Sequence, residues 1–167
     1  MLSDEADHIF DALFARYERA LCSYLVRLNG DPARAQELTQ ETFIRAYRAL
    51  RRGEEWSNPR AWLYRVASRL ATDDHRRRKL LEWLPLLGTE PDPVPSIERV
   101  VGKWLDVQAA LDKLPPIYRI PLVLYTCEGH TTAEIAETLG LSISAVKMRL
   151  SRARTKFRRA YEQEQDQ

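Results

Sequence analysis

Apolar residues recur at steps of three and four along almost the whole chain, and no stretch alternates with a period of two. That spacing predicts helices and gives no support for strands. Ser3 with Asp4, Glu5 and Asp7 opens a first helix to about Leu28, whose core side includes Ile9, Leu13, Tyr17, Leu21 and Leu25. Asn29-Gly30 stops it. Asp31-Pro32, a cap followed by proline at the first helical position, starts a second helix to about Arg51, with Leu38, Phe43, Ala46, Tyr47 and Leu50 among its apolar residues. Asn58-Pro59 repeats the device after a loop at 52–58, and a third helix runs to about Lys79 with Leu63, Val66, Ala67 and Leu70 as its inner stripe. Residues 84–95 (LPLLGTEPDPVP) hold four of the nine prolines, cannot keep a regular helix and mark a domain boundary. Ser96 caps a helix to about Leu114, and Pro115-Pro116 breaks it and starts another to about Glu128.

The last stretch has the clearest punctuation. Thr131 followed by Glu134 is a capping box, Ile135, Ala136 and Leu139 form an apolar face, and Gly140 ends the helix. Ser142 caps a second helix whose buried stripe is Val146, Leu150, Ala153 and Phe157. The tail from Glu162 is polar and is expected to fray. The predicted fold is all-α: two small helical domains joined by a Pro-rich linker, the C-terminal one containing a helix-turn-helix. The expected boundaries are 1–80, a linker at 81–105, and 106–167.

Charge adds what periodicity does not show. The net charge of +2 is unremarkable, but its distribution is uneven. Residues 51–80 carry 9 basic and 4 acidic side chains, and 113–167 carry 9 and 6. Between them, 81–112 carries 2 and 6, so an acidic block separates two basic ones. Each basic block suits a separate phosphate footprint. Cys22 and Cys127 fit no zinc spacing and read as buried reduced thiols of a cytoplasmic protein. The three histidines are scattered, so no metal cluster is expected. The chain has no signal peptide and no apolar run of 18 residues, no Gly-rich phosphate loop and no nucleophile elbow. No catalytic cluster, cofactor or membrane insertion is therefore expected.

On the final helix Ser144, Lys147, Met148, Ser151, Arg152 and Arg154 lie opposite the buried stripe. That face suits the DNA major groove, while the plain alternative is a solvated basic surface. On the third helix Arg65, Arg69, Thr72 and Arg76 share a face, with Trp62 near the helix start and Trp56 just before it. Aromatics beside a basic face suit single-stranded nucleic acid, although a core tryptophan beside solvated arginines reads the same way. The second helix gathers Gln36, Glu37, Gln40, Glu41 and Thr42 beside Leu38 and Phe43, a surface open to protein docking or to solvent alone.

Three segments in this order resemble the extracytoplasmic-function (ECF) group of bacterial RNA polymerase sigma factors. They are ELTQETFIRAYRAL (37–50), NPRAWLYRVASRLATDDHRRR (58–78) and LDKLPPIYRIPLVLYTCEGHTTAEIAETLGLSISAVKMRLSRARTKFRR (111–159). The resemblance implies a subunit that binds core RNA polymerase and directs promoter-specific initiation without catalysis. It implies that Leu38, Gln40, Glu41, Thr42 and Arg45 meet the polymerase. Trp56, Trp62, Arg65, Arg69, Asp73 and Arg76 would serve the single-stranded −10 element. Ser142, Ser144, Lys147, Met148, Arg149 and Arg152 would serve the double-stranded −35 element. An anti-sigma factor is an implied further partner. Arg69 and Asp74-His75 depart from the pattern, and Asp74 is expected to oppose phosphate contact. Two other classes stay open on the residues alone: a free-standing helix-turn-helix regulator, and a sigma-mimicking adaptor that binds an anti-sigma factor.

Overall fold

The computed structural model describes residues 2–82 and 100–165, all helix and connecting turns among those residues. The elements are α1 (Leu2–Asn29), α2 (Pro32–Arg51), α3 (Pro59–Glu82), α4 (Val100–Asp112), α5 (Pro116–Thr126), α6 (Thr132–Leu139) and α7 (Ile143–Gln165). The expected starts hold where side-chain caps close them. Asp31 accepts from the Arg34 amide at 3.1 Å and Asn58 from the Ala61 amide at 3.1 Å. Thr131 and Glu134 form the reciprocal box, at 3.2 and 2.7 Å. Gly140 closes α6 with φ 66°, a left-handed conformation that costs most residues a Cβ clash.

Several boundaries differ from expectation. α7 continues to Gln165, so the polar tail does not fray at Glu162; the buried Ala160 continues its inner stripe past Phe157. Residues 81–82 belong to α3 and 100–105 to α4, so the expected linker 81–105 is helical at both ends. Its middle, with the expected Ser96 cap, lies outside the described residues. Pro121 sits inside α5 and is buried there.

α1, α2 and α3 pack on one another, and α4, α5 and α6 pack around α7. The two halves also pack together, α1 against α4 and α5, and α3 against α5 and α6. Buried side chains form one continuous cluster, from Leu21, Leu25, Phe43 and Leu63 to Leu124, Ile135, Val146 and Leu150. An aromatic chain crosses the seam, Tyr24 to Tyr64 at 5.1 Å and Tyr64 to His130 at 4.8 Å.

A polar cluster holds the other end of the seam. Arg119, only 4% exposed, donates to the carbonyls of Leu28, Asp112 and Leu114. Gln108 donates to the Arg27 carbonyl at 3.2 Å. Gly30 has φ 71°, a left-handed conformation that favours glycine, and a Cβ there would lie 3.2 Å from an Asp112 carboxylate oxygen, which would have to shift slightly.

Not every periodic residue is inside. Ile9 and Tyr47 are exposed, because α1 and α2 leave one edge of their apolar stripes uncovered. The cysteines are not buried thiols: Cys22 is half-buried and Cys127 is exposed just after α5.

Candidate functional site

α7 presents the expected −35 residues as expected from their periodicity. Val146, Leu150 and Ala153 are buried, so Ser144, Lys147, Met148 and Arg152 point outward and are exposed. Ser142 caps the helix, accepting from the Ala145 amide at 3.1 Å. Arg149 is half-buried at the edge of this face. Arg154 and Lys156 are tied elsewhere, over the rings of Tyr125 (5.2 Å) and Tyr118 (5.6 Å) on α5. Cation–π contact fixes their direction, which steps of three and four do not reveal.

α3 brings most of the expected −10 residues to one place. Arg65, Arg69, Thr72, Asp73 and Arg76 line a cleft of about 480 Å³ whose far wall is Ile120, Thr138, Leu139 and Gly140. Arg69, Asp73 and Arg76 are exposed, and Asp73 lies 4.0 Å from Arg76. Arg65 is bound instead to the far wall, donating to the carbonyls of Thr138 at 3.0 Å and Glu137 at 2.7 Å. Trp56 and Trp62 stack with ring centroids 4.1 Å apart and planes 19° apart, so each indole covers one face of the other. Both are half-buried and packed against the core.

Asp74 does not stand on the outer face with Arg69 and Arg76, where it was expected to oppose phosphate. It is 5% exposed, on the inner side of α3, and binds Arg34 of α2 at 2.7 Å and Arg78 at 2.7 and 2.9 Å. Burial raises its pKa, but the hydrogen bonds from Arg34 and Arg78 outweigh that and hold it below the usual carboxylate range. Arg78 is thereby committed to structure.

The expected docking residues divide. Leu38 and Thr42 are buried, Thr42 donating to the Leu38 carbonyl at 2.8 Å, so neither reaches the surface. Their spacing follows the inward stripe of α2, and only Gln40, Glu41 and Arg45 remain outside, with Arg45 donating to Glu41 at 2.7 Å. Gln40 stands at the rim of a groove of about 440 Å³ lined by Phe10, Phe14, Phe43, Ile44, Tyr47 and Arg48. Sequence reading missed this groove. Its signal was present: Ile44 and Tyr47 add a second apolar edge to α2, and Phe10 and Phe14 are one turn apart on α1.

His130 is 2% exposed and lies at the seam beneath the Tyr64 ring. Burial, with help from Arg60 and against Glu134, pushes its pKa down to about 4. Neither ring nitrogen has a protein hydrogen-bond partner among the described residues. No group of metal-binding side chains and no membrane-crossing helix occurs among the described residues.

Comparison with known proteins places this geometry. Sigma-70 region 2 matches residues 13–80, which take in most of α3 and of the groove lining, and Sigma-70, region 4 matches 104–157, which take in the first part of α7 with its outward basic face. The ECF RNA polymerase sigma factor SigE of Mycolicibacterium smegmatis is 33% identical over 156 residues, 89% of this chain and 60% of its own length. EcfG of Rhodopseudomonas palustris is 31% identical over 144 residues, 83% of this chain and 77% of its own length. The chain belongs to the ECF RNA polymerase sigma factors. CnrH, solved in complex with the cytosolic domain of CnrY, has a TM-score of 0.70 at 27% identity, covering 96% of this chain and 95% of CnrH. The sigma factor RpoE of Bartonella quintana, solved with the anti-sigma factor NepR, shares the fold at a TM-score of 0.70 and 22% identity.

Proposed function

We propose that the protein binds core RNA polymerase and directs it to promoters by reading two DNA elements with two separate faces. The observation that carries this is the pairing of an outward basic face on α7 with a second basic face on α3 beside stacked tryptophans. Lys147, Met148 and Arg152, with Ser142, Ser144 and Arg149, serve the −35 duplex. Arg65, Arg69, Asp73 and Arg76 serve the −10 strand, and Trp56 with Trp62 offers an aromatic surface for an unstacked base. Extruding a base costs a few kcal/mol, which stacking and a fitted pocket offset.

Polymerase docking falls to Gln40, Glu41 and Arg45 together with the apolar groove beside them, while Leu38 and Thr42 support α2 from within. Residues 1–80 form the polymerase and −10 unit, and 106–167 the −35 unit. The protein works by binding and not by chemical catalysis, in the cytoplasm. The pairing of CnrH with the cytosolic domain of CnrY supports a protein partner for this chain too, which we propose to be an anti-sigma factor.

Run-off transcription with core polymerase and a promoter library tests the reading. Promoter-specific transcripts that depend on the protein are expected. Their absence would return weight to a free-standing helix-turn-helix regulator.

A further inference from the structure

Ile143 and Met148 are the large apolar side chains that α7 leaves exposed, and they stand at different places around the helix. Val146, Leu150, Ala153 and Phe157 set the direction of its inward stripe. At about 100° per residue, Ile143 lies roughly 50° from the middle of that stripe and continues its margin. Met148, 48% exposed, lies roughly 170° from it, so burial does not account for an apolar side chain there. Its neighbours are polar. Ser144 stands one turn before it, Ser151 and Arg152 one turn after, and all three are exposed. The two serines are short, and the Thr155 hydroxyl further along turns back to donate to the Ser151 carbonyl at 3.3 Å. Met148 therefore projects beyond them along the centre of the outward face. Lys147 lies roughly 90° to one side, at a flank.

We propose that Met148 sets part of the −35 sequence preference by packing against the C5-methyl group of a thymine. The proposal rests on the reading of α7 as the −35 face and adds to it the base that one residue selects. In a helix lodged in the major groove, the middle of the outward face meets base edges and the flanks meet phosphates. Base edges in that groove present hydrogen-bond donors, acceptors and one apolar group, the thymine methyl. The thioether of Met148 has no N–H or O–H to donate, and its sulfur is a weak acceptor. Against any other base edge it would displace water from polar atoms and leave them without a partner. Against a thymine methyl it buries apolar surface on both sides, and its unbranched, adaptable chain can follow the groove floor. Met148 thus supplies sequence preference, while Lys147 at the flank supplies affinity common to all sequences.

The test uses holoenzyme assembled from core polymerase and the full chain, with a duplex DNA library randomised at the −35 and −10 positions. Bound fragments are sequenced for the parent, Met148→Ala and Met148→Leu. The parent is expected to enrich thymine at one −35 position. Met148→Ala should lose that enrichment and keep the preferences at the other positions. Met148→Leu, apolar and of similar size, should retain it. In one selected fragment, deoxyuridine in place of that thymine then removes the methyl and nothing else. The change should weaken the parent about fourfold, the scale of one methyl-sized apolar contact, and leave Met148→Ala unaffected. The same base preferences for the parent and Met148→Ala would overturn the proposal and leave the −35 reading standing. So would a parent indifferent to the methyl, or a Met148→Ala variant weakened alike on every sequence. A library with no −35 preference for any form would overturn the proposal together with the reading of α7 as the −35 face.

Discussion

At the scale of single residues, two buried ionisable groups, one held charged and one held neutral, both lose their contribution to stability as pH falls. Asp74 is held ionised between Arg34 and Arg78. Its folded pKa is depressed, so its contribution is complete above the unfolded value near 4 and is lost as pH falls through the folded one. Asp74→Ala should lower unfolding free energy by about 2 kcal/mol, the scale of charge-assisted hydrogen bonds, because it leaves two arginines without their shared partner. Chemical denaturation at pH 7 checks this. His130 is held neutral. Its pKa is also depressed on folding, so stability is complete above about 6.5 and declines as pH falls toward 4. Between pH 7.5 and 5 the loss amounts to about 2 kcal/mol. His130→Gln should flatten that part of the stability curve, and thermal melts across the range would show whether it does. Neither role was legible in sequence. Asp74 was read from its charge, but a helix interior with two arginines in reach reverses the meaning of that charge. His130 was read only as one of three scattered histidines.

At the scale of elements, the helices and their starts were legible because capping is local chemistry. Asp31, Asn58 and Thr131 each close a helix within three residues. The outward face of α7 was legible for a related reason: one buried stripe fixes the opposite side. α2 was harder. It has an inner stripe and a second apolar edge, and the inner stripe claimed Leu38 and Thr42 while the edge formed the groove with α1. The two faces should separate in a crossed experiment. Lys147→Ala with Arg152→Ala should weaken promoter binding by about 1–3 kcal/mol per contact and leave core polymerase binding unchanged. Gln40→Ala with Ile44→Asp should do the reverse. Pull-down on core polymerase and promoter anisotropy on the assembled holoenzyme measure the two sides, and parallel losses in both assays would defeat the assignment.

At the scale of the whole molecule, the sequence indicated two domains and left their placement open. The reason is physical: the contacts that join the halves are single polar side chains and small apolar patches with no periodic signature. Arg119 is the clearest case, a buried cation whose carbonyl partners span both halves. Burial lowers its pKa, while Asp112 acts to restore it. Arg119→Met should leave three carbonyls short of a donor and loosen the seam. The parent is expected to unfold in one calorimetric transition through its continuous core, and the variant at lower temperature with a broader or divided one. A variant melting as the parent does would mean that Arg119 does not couple the halves.

The stacked indoles have an optical consequence. Two chromophores held face to face at 4.1 Å share their electronic transitions, so Trp56 and Trp62 should give a paired signal of opposite signs in circular dichroism. A nucleobase stacked on the pair adds a third chromophore and should change that signal. On the reading proposed above, the pair would serve as an unlabelled spectroscopic reporter of the strand's arrival.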